Sequence, residues 1–154
     1  MSIKRSIATG AAAFVVSQVL AILVHGFILA SDYKPFYGTL LRPMPNDGDW
    51  RMLLLPLSHL CFVSALVWMY SRLAIEGSTL ERGLKLGLLG YVVGQLPLWL
   101  LWYAEQPWPD VLVLKQLCLE LISSLIIGTT ITMTSGVRDR AALAPGAPRP
   151  ASAA

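Results

Sequence analysis

An all-α integral membrane protein, a four-helix transmembrane bundle, is the fold class that this sequence predicts. Three observations predict it. Only 14% of the 154 residues are charged and 55% are hydrophobic, whereas soluble chains carry about 25% charged residues. The mean hydropathy of +0.61 is too apolar for a disordered chain. Four windows, at residues 6–30, 51–74, 83–103 and 111–134, each supply the roughly 20 mostly apolar residues that a helix needs to cross a bilayer core. They make residues 1–134 one transmembrane domain.

The first window opens behind Lys4 and Arg5. A basic pair before an apolar run also begins a secretory signal, but this run outlasts the roughly 7 to 15 residues of a signal core. It also contains Gln18 and His25, so a retained helix is expected. The connection after it is polar and aromatic (Asp32, Tyr33, Phe36, Tyr37) and long enough to lie along the membrane surface. On the second window Ser58, Cys61 and Ala65 form a face of small residues. The third has Gly83, Gly87, Gly90 and Gly94 at intervals of four, three and four. Helical spacing puts all four on one side, a groove where a neighbouring backbone can approach. Pro56 and Pro97 are expected to bend their spans or free a carbonyl. Short turns at Glu76-Gly77-Ser78 and Gln106-Pro107-Trp108-Pro109-Asp110 make the second, third and fourth helices sequential antiparallel neighbours. The fourth window carries a polar stripe of Gln116, Glu120, Ser123, Thr130 and Thr134, interrupted by Ile127. From Ser135 the composition turns to Ala, Pro and Arg, and residues 135–154 are expected to be a disordered tail.

The distribution of charge encodes orientation. Lys4, Arg5, Arg72, Arg82, Lys85, Arg138, Arg140 and Arg149 fall on one side, and Lys34, Arg42, Arg51 and Lys115 on the other. The positive-inside rule then predicts cytoplasmic amino and carboxyl termini. No recognition helix or zinc finger accompanies these residues, so nucleic acid is not an expected partner. Cys61 and Cys118 lie in apolar segments without a C-x-x-C pair, against thiol-disulfide exchange or a cysteine zinc site.

Ionisable groups inside a bilayer cost at least about 2.5 kcal/mol each when charged, so each needs an explanation. By the helical rise, Glu120 and His59 lie about 4 and 5 Å outside the midpoints of their spans, and His25 about 10 Å. Gln18 and Gln95 fall near the centres of theirs. A closed bundle therefore predicts a buried polar cluster of His25, His59, Gln95, Glu120 and Gln18, with a hydrogen bond between His59 and Glu120. A haem held by His25 and His59, or a metal held by His25, His59 and Glu120, has suitable ligand types. Neither has a spacing motif, and no cofactor is expected. Lys115 is read as an end residue snorkelling toward Glu105 or Asp110.

Three elements carry a resemblance: a first helix running into an aromatic loop (His25-Gly-Phe to Tyr37-Gly), a glycine-rich third helix (Gly83-Leu-Lys-Leu-Gly), and a Pro-containing turn before a fourth helix ending near Ile127-Gly128. On these the chain resembles small four-span bacterial inner-membrane proteins of no assigned function. The resemblance implies a bacterial inner membrane and brings no activity or site residue with it. The expected role is that of a non-enzymatic accessory or oligomer-forming component, whose partners are the lipid bilayer, further copies of itself or a membrane complex. The alternative is a transporter or a redox or ligand-binding protein working through His25, His59, Gln95 and Glu120.

Overall fold

Close approach between helices, made possible by small residues, organises this chain. The computed structural model describes residues 2–41 and 49–136. Arg42 and the expected disordered tail beyond Gly136 lie outside the described residues. Four helices are long and apolar enough to cross a membrane: Ile3–Ile28, Trp50–Arg72, Thr79–Glu105 and Asp110–Ser135. They form an all-α bundle, and the only β pairing among the described residues is a single bridge between Tyr37 and Leu41.

Local chemistry sets the ends. The third span starts at Thr79, ahead of the expected Gly83, because Ser78 and Glu81 form a capping box. The Ser78 hydroxyl accepts from the Glu81 amide at 3.3 Å, and the Glu81 carboxylate accepts from the Ser78 amide at 2.7 Å. Two orphan donors of the first turn are thereby satisfied. Gly136, in the left-handed region at φ 55°, ends the fourth span. Its carbonyl accepts from Arg5 Nη1 at 3.4 Å, so the two described ends of the chain meet at one end of the bundle.

The fourth span is the hub. Of its most apolar stretch 39% is buried, against 22%, 17% and 22% for the first three spans. It packs along the third span and along the first. In lipid, apolar burial offers helices no net attraction, so close packing must hold them together. A Cβ at Gly83 would lie 2.5 Å from Thr129 Cα, and one at Gly87 would lie 2.6 Å from Leu125 Cα. From the opposite side, a Cβ at Gly128 would meet Gly87 Cα at 2.7 Å. Only hydrogen fits at these three positions. The first span makes its approach with Thr9, Ala13 and Ser17, a buried stripe at intervals of four.

The expected single glycine face divides. Gly83 and Gly87 meet the fourth span, whereas Gly90 and Gly94 lie against Leu66 and Phe62 of the second, with Gly94 exposed. A π-helical turn follows over Tyr91–Gln95, closed by Leu96 N–H donating to the Tyr91 carbonyl. The extra residue in that turn rotates the rest of the span about its axis. It also accommodates Pro97, which has no N–H to donate. Pro56 sits in the first turn of regular helix after a 3-10 turn over Trp50–Leu53, where a missing N–H costs little and requires no bend. The second and third spans touch only slightly despite the short turn between them. Ser58, Cys61 and Ala65 are exposed, so the small-residue face of the second span is unused within the chain.

Candidate functional site

A second π turn, Ile22–Ile28, lies at the end of the first span away from the termini, with Leu29 N–H donating to the Val24 carbonyl at 2.8 Å. Turns of this kind are frequent at functional sites. The chain then folds back through a short helix, Ala30–Tyr33, and a 3-10 turn, Lys34–Phe36. These form a cap held by an apolar cluster of Val24, Leu29, Tyr33, Trp108, Leu112 and Val113. Phe36 meets Trp108 edge-on, their ring centroids 5.4 Å apart.

Beneath the cap four polar side chains close into a ring. His25 Nδ1 lies 3.1 Å from the Tyr33 hydroxyl, and His25 Nε2 lies 3.2 Å from Glu120 Oε1. Gln116 Nε2 donates to the same carboxyl oxygen at 3.0 Å. Tyr33 closes the ring by donating its hydroxyl to Gln116 Oε1. Gln116 is fully buried, and the side chains of His25 and Glu120 are 39% and 15% exposed.

The proton positions are dictated by donor and acceptor capacities. The amide oxygen of Gln116 can only accept, so the Tyr33 proton is committed to it. The Tyr33 oxygen must then accept from His25, which places the neutral-form proton on Nδ1. Burial, reinforced by the charges of Glu120, Tyr37 and Asp32, holds the Tyr33 hydroxyl above its ordinary range and keeps it a neutral donor. Between His25 Nε2 and Glu120 Oε1 there is room for one more proton. Whether it rests on nitrogen or oxygen, the pair stays neutral overall.

The expected polar cluster is therefore partly assembled. His25 and Glu120 meet directly. His59 lies within electrostatic reach of both, but the expected hydrogen bond to Glu120 is not formed, and the carboxyl contacts come from His25 and Gln116. Gln18 and Gln95 stay outside the ring, and Gln18 Nε2 and Gln95 Oε1 are buried with no hydrogen-bond partner among the described residues. Thr130 and Thr134, the far members of the polar stripe, return their hydroxyls to the carbonyls of Ile126 and Thr130 in their own helix. Lys115 pairs with Asp32 of the cap at 2.8 Å, not with Glu105 or Asp110, and Asp110 instead accepts from the Tyr103 hydroxyl at 2.7 Å. The haem and metal readings fit poorly, since both ring nitrogens of His25 are engaged and no three His, Cys, Asp or Glu side chains gather around a common point among the described residues.

Tyr33 and Gln116 are the members that sequence reasoning does not assign to the cluster. Gln116 is marked by its place on the polar stripe, four residues before Glu120. Tyr33 reads as an interfacial aromatic, and nothing in its neighbourhood announces that the chain turns back over the bundle. Comparison with protein-family models, curated proteins and solved structures finds no match.

Proposed function

We propose that this multi-pass membrane protein uses the ring beneath its cap to hold one proton, and that this proton governs how firmly the cap is seated. The observation that carries the reading is the contact of His25 Nε2 with Glu120 Oε1, made directly below Tyr33. With the proton present, the pair is bonded and neutral. With the proton gone, an imidazole lone pair faces a carboxylate, and a net negative charge stands in a site of low polarity. His59 beside the pair, Asp32 and Lys115 in the rim above it, Tyr37 within reach of Tyr33, and Tyr91 within reach of Glu120 are among the other charged or titratable groups near the ring. The distribution of basic residues supports both termini facing the cytoplasm, which puts the cap outside, and the resemblance supports a bacterial inner membrane.

The test is amide hydrogen exchange over residues 30–41 in the wild type and in Glu120→Gln at one pH. Glu120→Gln removes the shared proton and cannot keep both bonds, because the single atom that replaces Oε1 either donates to His25 or accepts from Gln116. Protection in Glu120→Gln should be about tenfold lower than in the wild type, equivalent to about 1.4 kcal/mol. Matching protection in the two proteins would dismiss the reading.

The exposed Ser58, Cys61 and Ala65 face supports a second reading, that of an accessory or oligomer-forming component, because small residues are what membrane helices present to one another. In a Cys118→Ser background, oxidation should then link two copies through Cys61, and Ala65→Leu should prevent the link without lowering stability. Monomer alone, by crosslinking and by native mass spectrometry, would remove this reading.

A further inference from the structure

The cap and the start of the fourth span enclose a cleft of about 150 Å³ lined by Asp32, Phe36, Pro109, Val111, Leu112 and Lys115. We infer that this cleft binds the headgroup of an amine-bearing zwitterionic phospholipid, with its phosphate on Lys115 and its ammonium on Asp32. This goes beyond the proton reading and does not depend on it.

Position comes first. The cleft lies at the end of a membrane-spanning helix, at headgroup depth, and its volume is below the roughly 300 Å³ at which pockets begin to enclose whole small molecules. A headgroup fits such a space while its tails remain in the bilayer. The tails have a path, because Val111, Leu114 and Ile122 are exposed apolar side chains on the fourth span, running away from the cleft. Lys115 stands among them with its side chain 49% exposed, and Asp32 is 31% exposed.

Valence comes second. Lys115 Nζ uses one donor on Asp32 Oδ2 at 2.8 Å, which leaves two for a phosphate. Asp32 Oδ1 accepts no hydrogen bond among the described residues and can take one from an ammonium. The ion pair can therefore persist while a headgroup of opposite polarity lies across it. A choline headgroup has no N–H to give to Asp32. A glycerol headgroup brings a negative charge without a positive one to a rim that already carries Asp32 and Asp110. Both the cation and the carboxylate are needed to prefer ethanolamine.

The experiment places the purified full-length protein in nanodiscs of phosphatidylethanolamine, phosphatidylcholine and phosphatidylglycerol with matched chains, and reads retained lipid by native mass spectrometry. Phosphatidylethanolamine should be retained about fivefold over each of the others, the fold-change of a well-placed exposed ion pair. Asp32→Asn should bring the ethanolamine-to-choline ratio to about one, because its amide oxygen still accepts from Lys115 but carries no charge. Lys115→Gln should reduce retention of all three lipids. Asp32→Asn decides the matter alone if Lys115→Gln fails to fold. Glu120→Gln, which disables the proton site, should keep the ethanolamine preference. Phosphatidylglycerol retained as well as phosphatidylethanolamine, or a preference unchanged in Asp32→Asn, would overturn the inference.

Discussion

Replacing Gly87 with isoleucine is expected to force the third and fourth spans apart and to lower the stability of the bundle by about 3 kcal/mol or more. The Cβ alone would stand 2.6 Å from Leu125 Cα, and backbone cannot rotate away as a side chain can. Relief requires the helices to separate along the face that also includes Gly83 and Gly128, so close packing is lost over several turns at once. Gly10→Ile is the control, because a Cβ at Gly10 meets nothing within 4 Å. Unfolding in mixed micelles by added SDS, followed by circular dichroism, should show a large shift in midpoint for Gly87→Ile and a small one for Gly10→Ile. Comparable shifts would mean that the glycine groove does not hold the bundle together.

Gln116→Leu should have the next largest effect, about 2 kcal/mol, with the side-chain volume nearly preserved. Gln116 is fully buried, and its amide both donates, to Glu120, and accepts, from Tyr33. Leucine removes the acceptor of the Tyr33 proton and takes one donor from the Glu120 carboxyl. In a Tyr33→Phe background the same change should cost less, since the hydroxyl that would lose its acceptor is already gone. Strict additivity of the two substitutions in the SDS titration would show that Tyr33 and Gln116 do not act as a unit.

The contrast between Glu120 and Tyr33 explains what the sequence could and could not disclose. Glu120 and His25 stand out because an ionisable residue within an apolar run needs a partner, and the helical rise estimates its height in the membrane. Height is not azimuth. His59 lies at nearly the right depth to bond Glu120, yet the direction in which a helix turns its side chains is set by its packing neighbours, and here the first span brings His25 to the carboxyl instead. Tyr33 and the Lys115–Asp32 pair depend on a chain reversal after the first span, which has no periodic signature. The π turns are similarly silent, although Pro97 marks a place where one is accommodated. The number of spans and their apolar character were legible because both are set by bilayer thickness. The capping box at Ser78 and Glu81 was also there to be read, and would have placed the start of the third span at Thr79.

The hub position of the fourth span makes biosynthesis wait on the final helix. It is the last of the four to leave the ribosome, and the first and third spans meet mainly through it. Until residues 110–135 enter the membrane, the glycine groove of the third span has no occupant and His25 has no carboxyl partner. The first and second spans can pack on each other before then, but the third has little to hold it, and the bundle closes as a late event once the fourth helix slots between segments that are already inserted.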